Sequence, residues 1–135
     1  MQTLKFFQEN QIKNINPFYK LLLKDMRRLN NFIDDNFLTS KCCNWKGNHI
    51  NKTIFFSFKR YKHNVRRLLF QNYVRELKKN EIIKTTCHNK LCCNINHYKI
   101  IYLKNNYEYY IPKKKFIVKI QSTNKNNPLY FDFQK

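Results

Sequence analysis

Alanine is missing from the 135 residues, glycine occurs once and proline three times. No Ser/Gly linker, internal repeat or low-complexity tract therefore divides the chain. Apolar runs are equally scarce: the longest is Ile100-Ile101-Tyr102-Leu103, against the roughly 18 residues a bilayer span requires. The opening Met1-Gln2-Thr3-Leu4-Lys5-Phe6-Phe7 lacks a cationic n-region followed by an apolar core of about 7–15 residues, so no secretory signal is expected. Acids are few, eight against 27 lysines and arginines.

Leu, Ile, Val and Phe make up 40 of the 135 residues, which clears the compositional signature of disorder and allows a core. The length suits one domain. A formal charge of +19 on 16.8 kDa repels itself and calls for an anionic counterpart. For an intracellular domain the usual counterpart is nucleic acid. The 20 Asn, 21 Lys, 13 Ile and 12 Phe have AT-rich codons, as in organelle and some protist genomes. Under that bias many Asn are expected to be neutral surface replacements.

The pattern predicts an α+β chain. Residues 1–15 read as a short helix or an arm. Asn16-Pro17 suits an N-cap and first helical position. Phe18, Leu21, Leu22, Met26, Leu29, Phe32 and Ile33 then recur at helical spacing, which predicts an amphipathic helix over about 17–37. Residues 53–61 are aromatic and β-branched and predict a strand, with a partner strand through Trp45. His63-Asn64 could cap a second helix that buries Val65, Leu68, Leu69, Tyr73 and Leu77. A strand over Glu81–Thr85, a cysteine loop over 87–97, a strand near 98–103 and a short helix from Lys104 follow. Beyond Pro112, Phe116–Ile120 is β-prone and the tail from Gln121 is polar.

Five cysteines stand as Cys42-Cys43, Cys87 and Cys92-Cys93. An odd count without a secretory signal argues against a disulfide framework. Cys87-x4-Cys92-x4-His97 places two thiolates and an imidazole within eleven residues, and Zn²⁺ wants four such donors in a tetrahedron. The fourth comes from the upstream pair, where Cys43 is the reading preferred and Cys42 the alternative. Adjacent cysteines rarely both ligate one ion, which leaves Cys42 and Cys93 spare, buried or on a second task. Ordinary buried thiols, with His97 on a strand edge, are the plainer possibility.

Cys43-Asn44-Trp45-Lys46-Gly47, Val65-Arg66-Arg67-Leu68-Leu69-Phe70 and Thr86-Cys87-His88-Asn89-Lys90-Leu91-Cys92-Cys93-Asn94-Ile95-Asn96-His97 together resemble the zinc-bound His-Me finger (HNH, His-Cys box) homing endonucleases. The likeness covers about residues 42–107. It implies a zinc-stabilised ββα-metal core with structural Zn²⁺ on Cys43, Cys87, Cys92 and His97. The chain is accordingly divided into an N-terminal helical arm at 1–41, the zinc domain at 42–111 and a basic C-terminal extension at 112–135. The family's general-base histidine lies two residues before the first loop cysteine, a position held here by Thr85. A threonine hydroxyl does not titrate near neutral pH and cannot serve as that base. Asn106 stands where the family's Mg²⁺-holding Asn falls, but a lone Asn is a poor Mg²⁺ site. Of the histidines considered as substitutes, His88 follows the zinc-held Cys87 and should point away from the base position, His63 could approach only by a different geometry, and His49 reads as an exposed turn residue.

Lys59, Arg60 and Lys62, then Arg66 and Arg67, then Lys113, Lys114 and Lys115 form basic clusters suited to phosphate. The nine Tyr, including Tyr107, Tyr109 and Tyr110, offer rings for stacking. The expectation is a non-catalytic nucleic-acid-binding structural protein, an rRNA-bound subunit of a mitochondrial or other organellar ribosome beside neighbouring ribosomal proteins. The alternative is an active Mg²⁺-dependent DNA homing endonuclease, with Mg²⁺ needed in that case only.

Overall fold

The computed structural model describes residues 2–104 in full and, beyond them, the backbone of 107–110, 115–118 and 129–132. Three α-helices appear among these residues: α1 (Gln2–Asn10), α2 (Leu23–Asn30) and α3 (Val65–Tyr73). The strands are β1 (His49–Ile50), β2 (Thr53–Phe58), β3 (Tyr61–Asn64), β4 (Glu81–Thr85), β5 (Tyr98–Lys104), β6 (Tyr107–Tyr110), β7 (Lys115–Val118) and β8 (Leu129–Asp132). All strand pairing is antiparallel, in the orders β1-β2-β3, β4-β5-β6 and β7-β8. The chain is a mixed helix and sheet protein, as its pattern implied. No helix among the described residues is long and apolar enough to cross a membrane.

The helix expected over 17–37 is broken into three pieces. Residues 17–19 form a turn, in which Asn16 Oδ1 accepts from the Phe18 N–H at 2.9 Å. The α2 helix starts only at Leu23, because the Asp25 carboxylate reaches back to the Leu22 N–H at 3.0 Å and fixes the first turn there. A 3₁₀ turn, Asp35–Leu38, follows after an interval. The stripe divides accordingly: Leu21, Met26, Leu29 and Ile33 are buried, while Phe18 and Leu22 are exposed.

The β-prone run over 53–61 is likewise two strands. Lys59 and Arg60 take φ of 51° and 70°, the left-handed pair that closes a tight hairpin, and β3 returns along β2. The partner strand expected through Trp45 lies later, at β1, and near Trp45 there is a single bridge between Asn44 and Cys92. The predicted second helix is α3, with the Asn64 side chain accepting from the Arg67 N–H at 3.2 Å. After β5 the backbone forms β6 rather than the expected helix, with Leu103 opposite Glu108.

One apolar core joins the N-terminal elements to the rest. Phe6 and Phe7 of α1 pack on Phe37 and on Tyr73 of α3, with ring centroids 5.4–5.7 Å apart. Such aromatic pairs add about 0.5–1.5 kcal/mol each beyond area burial. The Tyr73 hydroxyl donates to the Phe7 carbonyl at 3.1 Å. On the other side, Trp45 lies over Gly47 so closely that a Cβ there would sit 2.7 Å from the indole Nε1. Only glycine fits at 47 without moving the ring.

Candidate metal centre and the groove beside it

Cys42, Cys87, Cys92 and His97 converge, with their ligand atoms all within 4.8 Å of one another. Cys42 Sγ is 3.5 Å and Cys92 Sγ 3.3 Å from His97 Nδ1. A tetrahedral zinc with its usual bond lengths sets S···N edges of about 3.6 Å and S···S edges of about 3.8 Å. The cluster could therefore hold a metal ion, and its Cys3His donor set is compatible with a structural zinc.

The second ring nitrogen decides which way the imidazole faces. His97 Nε2 lies 2.7 Å from the Ser40 carbonyl oxygen, an acceptor only, so Nε2 carries the proton and donates. Nδ1 is left with its lone pair toward the thiols, the arrangement by which outer partners orient a metal-binding histidine. Burial pushes the Cys87 thiol up, but a hydrogen bond from the Asn89 backbone and the polar contacts with His97, Cys42 and Cys92 outweigh it and bring the thiol down to about 7. Burial pushes Cys92 up to about 12 against backbone hydrogen bonds from Asn94 and Cys43, with the neighbouring Cys87 and Cys42 adding to the rise. Metal binding would release the remaining thiol protons, since only thiolates ligate.

The upstream ligand is a correction: Cys42 joins the cluster, not Cys43. Cys43 is wholly buried and points into the core, with its Sγ 3.6 Å from Cys93 Sγ and 3.5 Å from Asp34 Oδ1. The physical reason is strand parity. Two hydrogen bonds, Cys93 N–H to the Cys43 carbonyl at 2.8 Å and Trp45 N–H to the Leu91 carbonyl at 2.7 Å, pair the two segments. In such extended backbone successive side chains alternate faces. Cys42 and Cys92 share the cluster face, and Cys43 and Cys93 share the core face.

Asn94 ties the segments together. Its side-chain amide donates to the carbonyls of Asn36 at 3.1 Å, Thr39 at 2.8 Å and Lys41 at 2.6 Å, and its Oδ1 accepts from the Asn96 N–H at 3.0 Å. The stretch carrying Ser40 and Cys42 is thereby fixed against the cysteine loop. Arg66, expected among the phosphate contacts, has a different role. Only 7 % exposed, its guanidinium donates to the carbonyls of Cys92, Lys52 and Lys90, each at 2.9 Å. It braces the cysteine loop, and it also forms part of the wall of the groove beside the cluster.

Beside the cluster lies a groove of about 500 Å³ whose wall includes Thr85, His88, Lys52, Lys84, Lys90 and Lys99. Thr85 holds the end of β4, and its hydroxyl donates to the Cys87 carbonyl at 3.0 Å. Lys84 and Lys99 are directly opposed across β4 and β5. Among the described residues no carboxylate lines the groove. These lysines come from the β1–β2 turn, β4, the cysteine loop and β5, and no local sequence cluster marks them.

Of the remaining basic residues, Lys59, Arg60 and Lys62 are exposed at the β2–β3 hairpin. Lys59 Nζ donates to the Pro17 carbonyl and lies 5.0 Å from the Phe58 ring centroid. Arg67 is half-buried, 5.5 Å from the Tyr19 ring. Lys113, Lys114 and Asn106 lie outside the described residues, and Lys115 opens β7. His63 is buried under Phe18 and Phe58, with ring centroids 5.0 and 5.1 Å away, and lines a different groove from Thr85.

No family model matches the chain, and no solved structure matches it. An uncharacterized protein, R328, of Acanthamoeba polyphaga mimivirus is 39% identical over 108 residues. The match takes in 73% of this chain and 32% of R328, so the chain spans about a third of that relative's length. Fold and site define a mixed helix and sheet protein with a Cys3His cluster able to take a metal.

Proposed function

We propose that this chain is a non-catalytic nucleic-acid-binding protein, built on a degenerate His-Me finger scaffold and stabilised by zinc on Cys42, Cys87, Cys92 and His97. The observation that carries the reading is the lysine groove. Lys52, Lys84, Lys90 and Lys99 share its wall, and no carboxylate among the described residues lines it. A groove of this kind suits a phosphate backbone, whose counterions are released on binding. Thr85 stands at the place of the general base and offers only a hydroxyl already given to a carbonyl. An rRNA-bound place in an organellar ribosome is the proposed setting, and it rests on composition and charge alone.

Sedimentation of the protein from gentle lysate tests this reading. Co-migration with a large particle, lost after ribonuclease digestion, is the expected result. Protein that stays at the top of the gradient would overturn the ribosomal setting.

One observation favours a second reading, an active Mg²⁺-dependent DNA endonuclease. His88 lines the same groove as Thr85 and could act as a displaced base. Magnesium-dependent cleavage of plasmid DNA that disappears in His88→Ala would establish it. Cleavage gained only in Thr85→His would instead identify a dead site with its surroundings intact.

A further inference from the structure

A second groove, of about 440 Å³, lies on the side of α3 and the β2–β3 hairpin, lined by Phe18, Tyr19, Tyr61, Lys62, His63 and Arg67. Its volume falls in the range of small-ligand pockets, about 300–1,000 Å³. Two of its rings are unusually open to solvent: Phe18 is 44 % and Tyr61 60 % exposed. Their centroids are 5.4 Å apart with planes at 52°. The two rings touch, and an exposed apolar patch rimmed by polar groups is the kind of surface that marks a binding site.

The walls are held in place. The turn carrying Phe18 and Tyr19 is closed by the Tyr19 N–H to the Asn16 carbonyl at 2.8 Å. It is anchored to α3 by Asn72 Nδ2, which donates to the Tyr19 carbonyl at 2.8 Å. The Lys59 ammonium donates to the Pro17 carbonyl, which ties the hairpin bearing Tyr61 to the same turn. Little ordering of the backbone remains for a ligand to impose.

Two polar atoms in this wall have no hydrogen-bond partner among the described residues, His63 Nε2 and Arg67 Nε. His63 is 5 % exposed, so its Nε2 is shut away from bulk water as well as from protein partners. Orphaned buried polar atoms are costly and call for an explanation. Arg67 and Lys62 place positive charge at the edge of the rings.

We propose that this groove takes an unpaired nucleobase of a bound strand, with the base stacked on Phe18 and Tyr61, and the flanking phosphates on Lys62 and Arg67. The polar edge of the base would supply the missing partner of His63 Nε2. Asn64 lines both this groove and the lysine groove, so a backbone laid along the lysines leads directly to the rings. The inference rests on the nucleic-acid-binding reading above and adds to it a requirement for single-stranded or looped substrate. RNA and single-stranded DNA offer the same unpaired base.

Fluorescence anisotropy with a labelled single strand, in RNA and in DNA, and with the corresponding duplexes tests it. The variants are Phe18→Ala with Tyr61→Ala, and Tyr61→Phe, which keeps the ring; both positions are exposed, and thermal unfolding checks that the fold is retained. Stacking on aromatic side chains contributes about 1–3 kcal/mol per base, so the double variant is expected to bind either single strand roughly tenfold or more weakly. Duplex affinity should change by less than about twofold, and Tyr61→Phe should bind as the unchanged protein does. Equal losses on single strand and duplex, or no loss on single strand, would overturn the pocket while leaving nucleic-acid binding in place. Failure of the unchanged protein to bind any of the four probes would overturn the underlying reading, and this inference with it.

Discussion

Ser40 holds His97 to one tautomer: the 2.7 Å contact between His97 Nε2 and the Ser40 carbonyl turns Nδ1 toward three thiols. The relation depends on a peptide bond fifty-seven residues away in sequence, so the metal centre can assemble only when residues 40–42 have docked on the cysteine loop. A metal bound here would couple its affinity to the folding of this half of the molecule.

That coupling makes the two adjacent cysteines separable. Cys42→Ser is expected to abolish stoichiometric zinc and lower the unfolding temperature sharply, because a Cys2His site no longer closes the tetrahedron. Cys43→Ser should retain one zinc per chain, losing only core packing. Metal analysis of the two purified proteins, with thermal unfolding before and after chelation, distinguishes them. Zinc lost from Cys43→Ser and kept by Cys42→Ser would reverse the assignment.

Asn94→Asp is close to isosteric yet replaces an amide donor by a carboxylate facing the carbonyls of Asn36, Thr39 and Lys41. A destabilisation of about 3 kcal/mol or more is expected, since buried acceptors lose their donors and gain a repelling charge. Denaturant unfolding measures it. Zinc affinity should fall in the same variant, because Ser40 and Cys42 are released together.

Arg66→Met removes the donor that three backbone carbonyls share and should cost roughly 2–4 kcal/mol. Nucleic-acid affinity, measured at a temperature where the variant remains folded, should change little. A loss of affinity as large as that in Lys84→Ala would place Arg66 at the interface after all.

Glu81 gives the fold an acid limit independent of the metal. Burial pushes its carboxyl up, but the Arg75 guanidinium at 2.9 and 3.0 Å and the Lys78 N–H at 2.7 Å outweigh it and hold the group below its ordinary value of 4.5. A carboxyl with a lowered folded pKa contributes stability above its unfolded pKa and loses it as pH falls through the folded value. Between about pH 5 and 3, the unfolding temperature should therefore drop more steeply for the unchanged protein than for Glu81→Gln. Parallel profiles would show that the ion pair contributes nothing.

Much of the fold was legible because it depends on local signals: Asn64 before an apolar helical stripe, the β-prone Glu81–Thr85, and the spacing of Cys87, Cys92 and His97. Four features were not. The stripe from Phe18 to Ile33 has one period whether the chain is a continuous helix or a turn, a short helix and a 3₁₀ turn, and the break depends on the Asp25 cap. The choice between Cys42 and Cys43 depends on register against Cys92 and Cys93, which is a long-range property. Asn-rich composition suggested neutral replacements, yet Asn72 and Asn94 are fully buried and tie distant segments together. The groove lysines meet only through the topology.

The most direct measurement is binding of single-stranded and duplex probes by the zinc-loaded protein across a salt series, with Mg²⁺ present and the probes recovered afterward. Four groove lysines acting on phosphates give a slope of log K against log salt of roughly −3 to −4, reduced by about one unit in Lys84→Ala, with every probe recovered intact. Binding that ignores salt, or probes returned cut, would contradict a non-catalytic phosphate-binding groove.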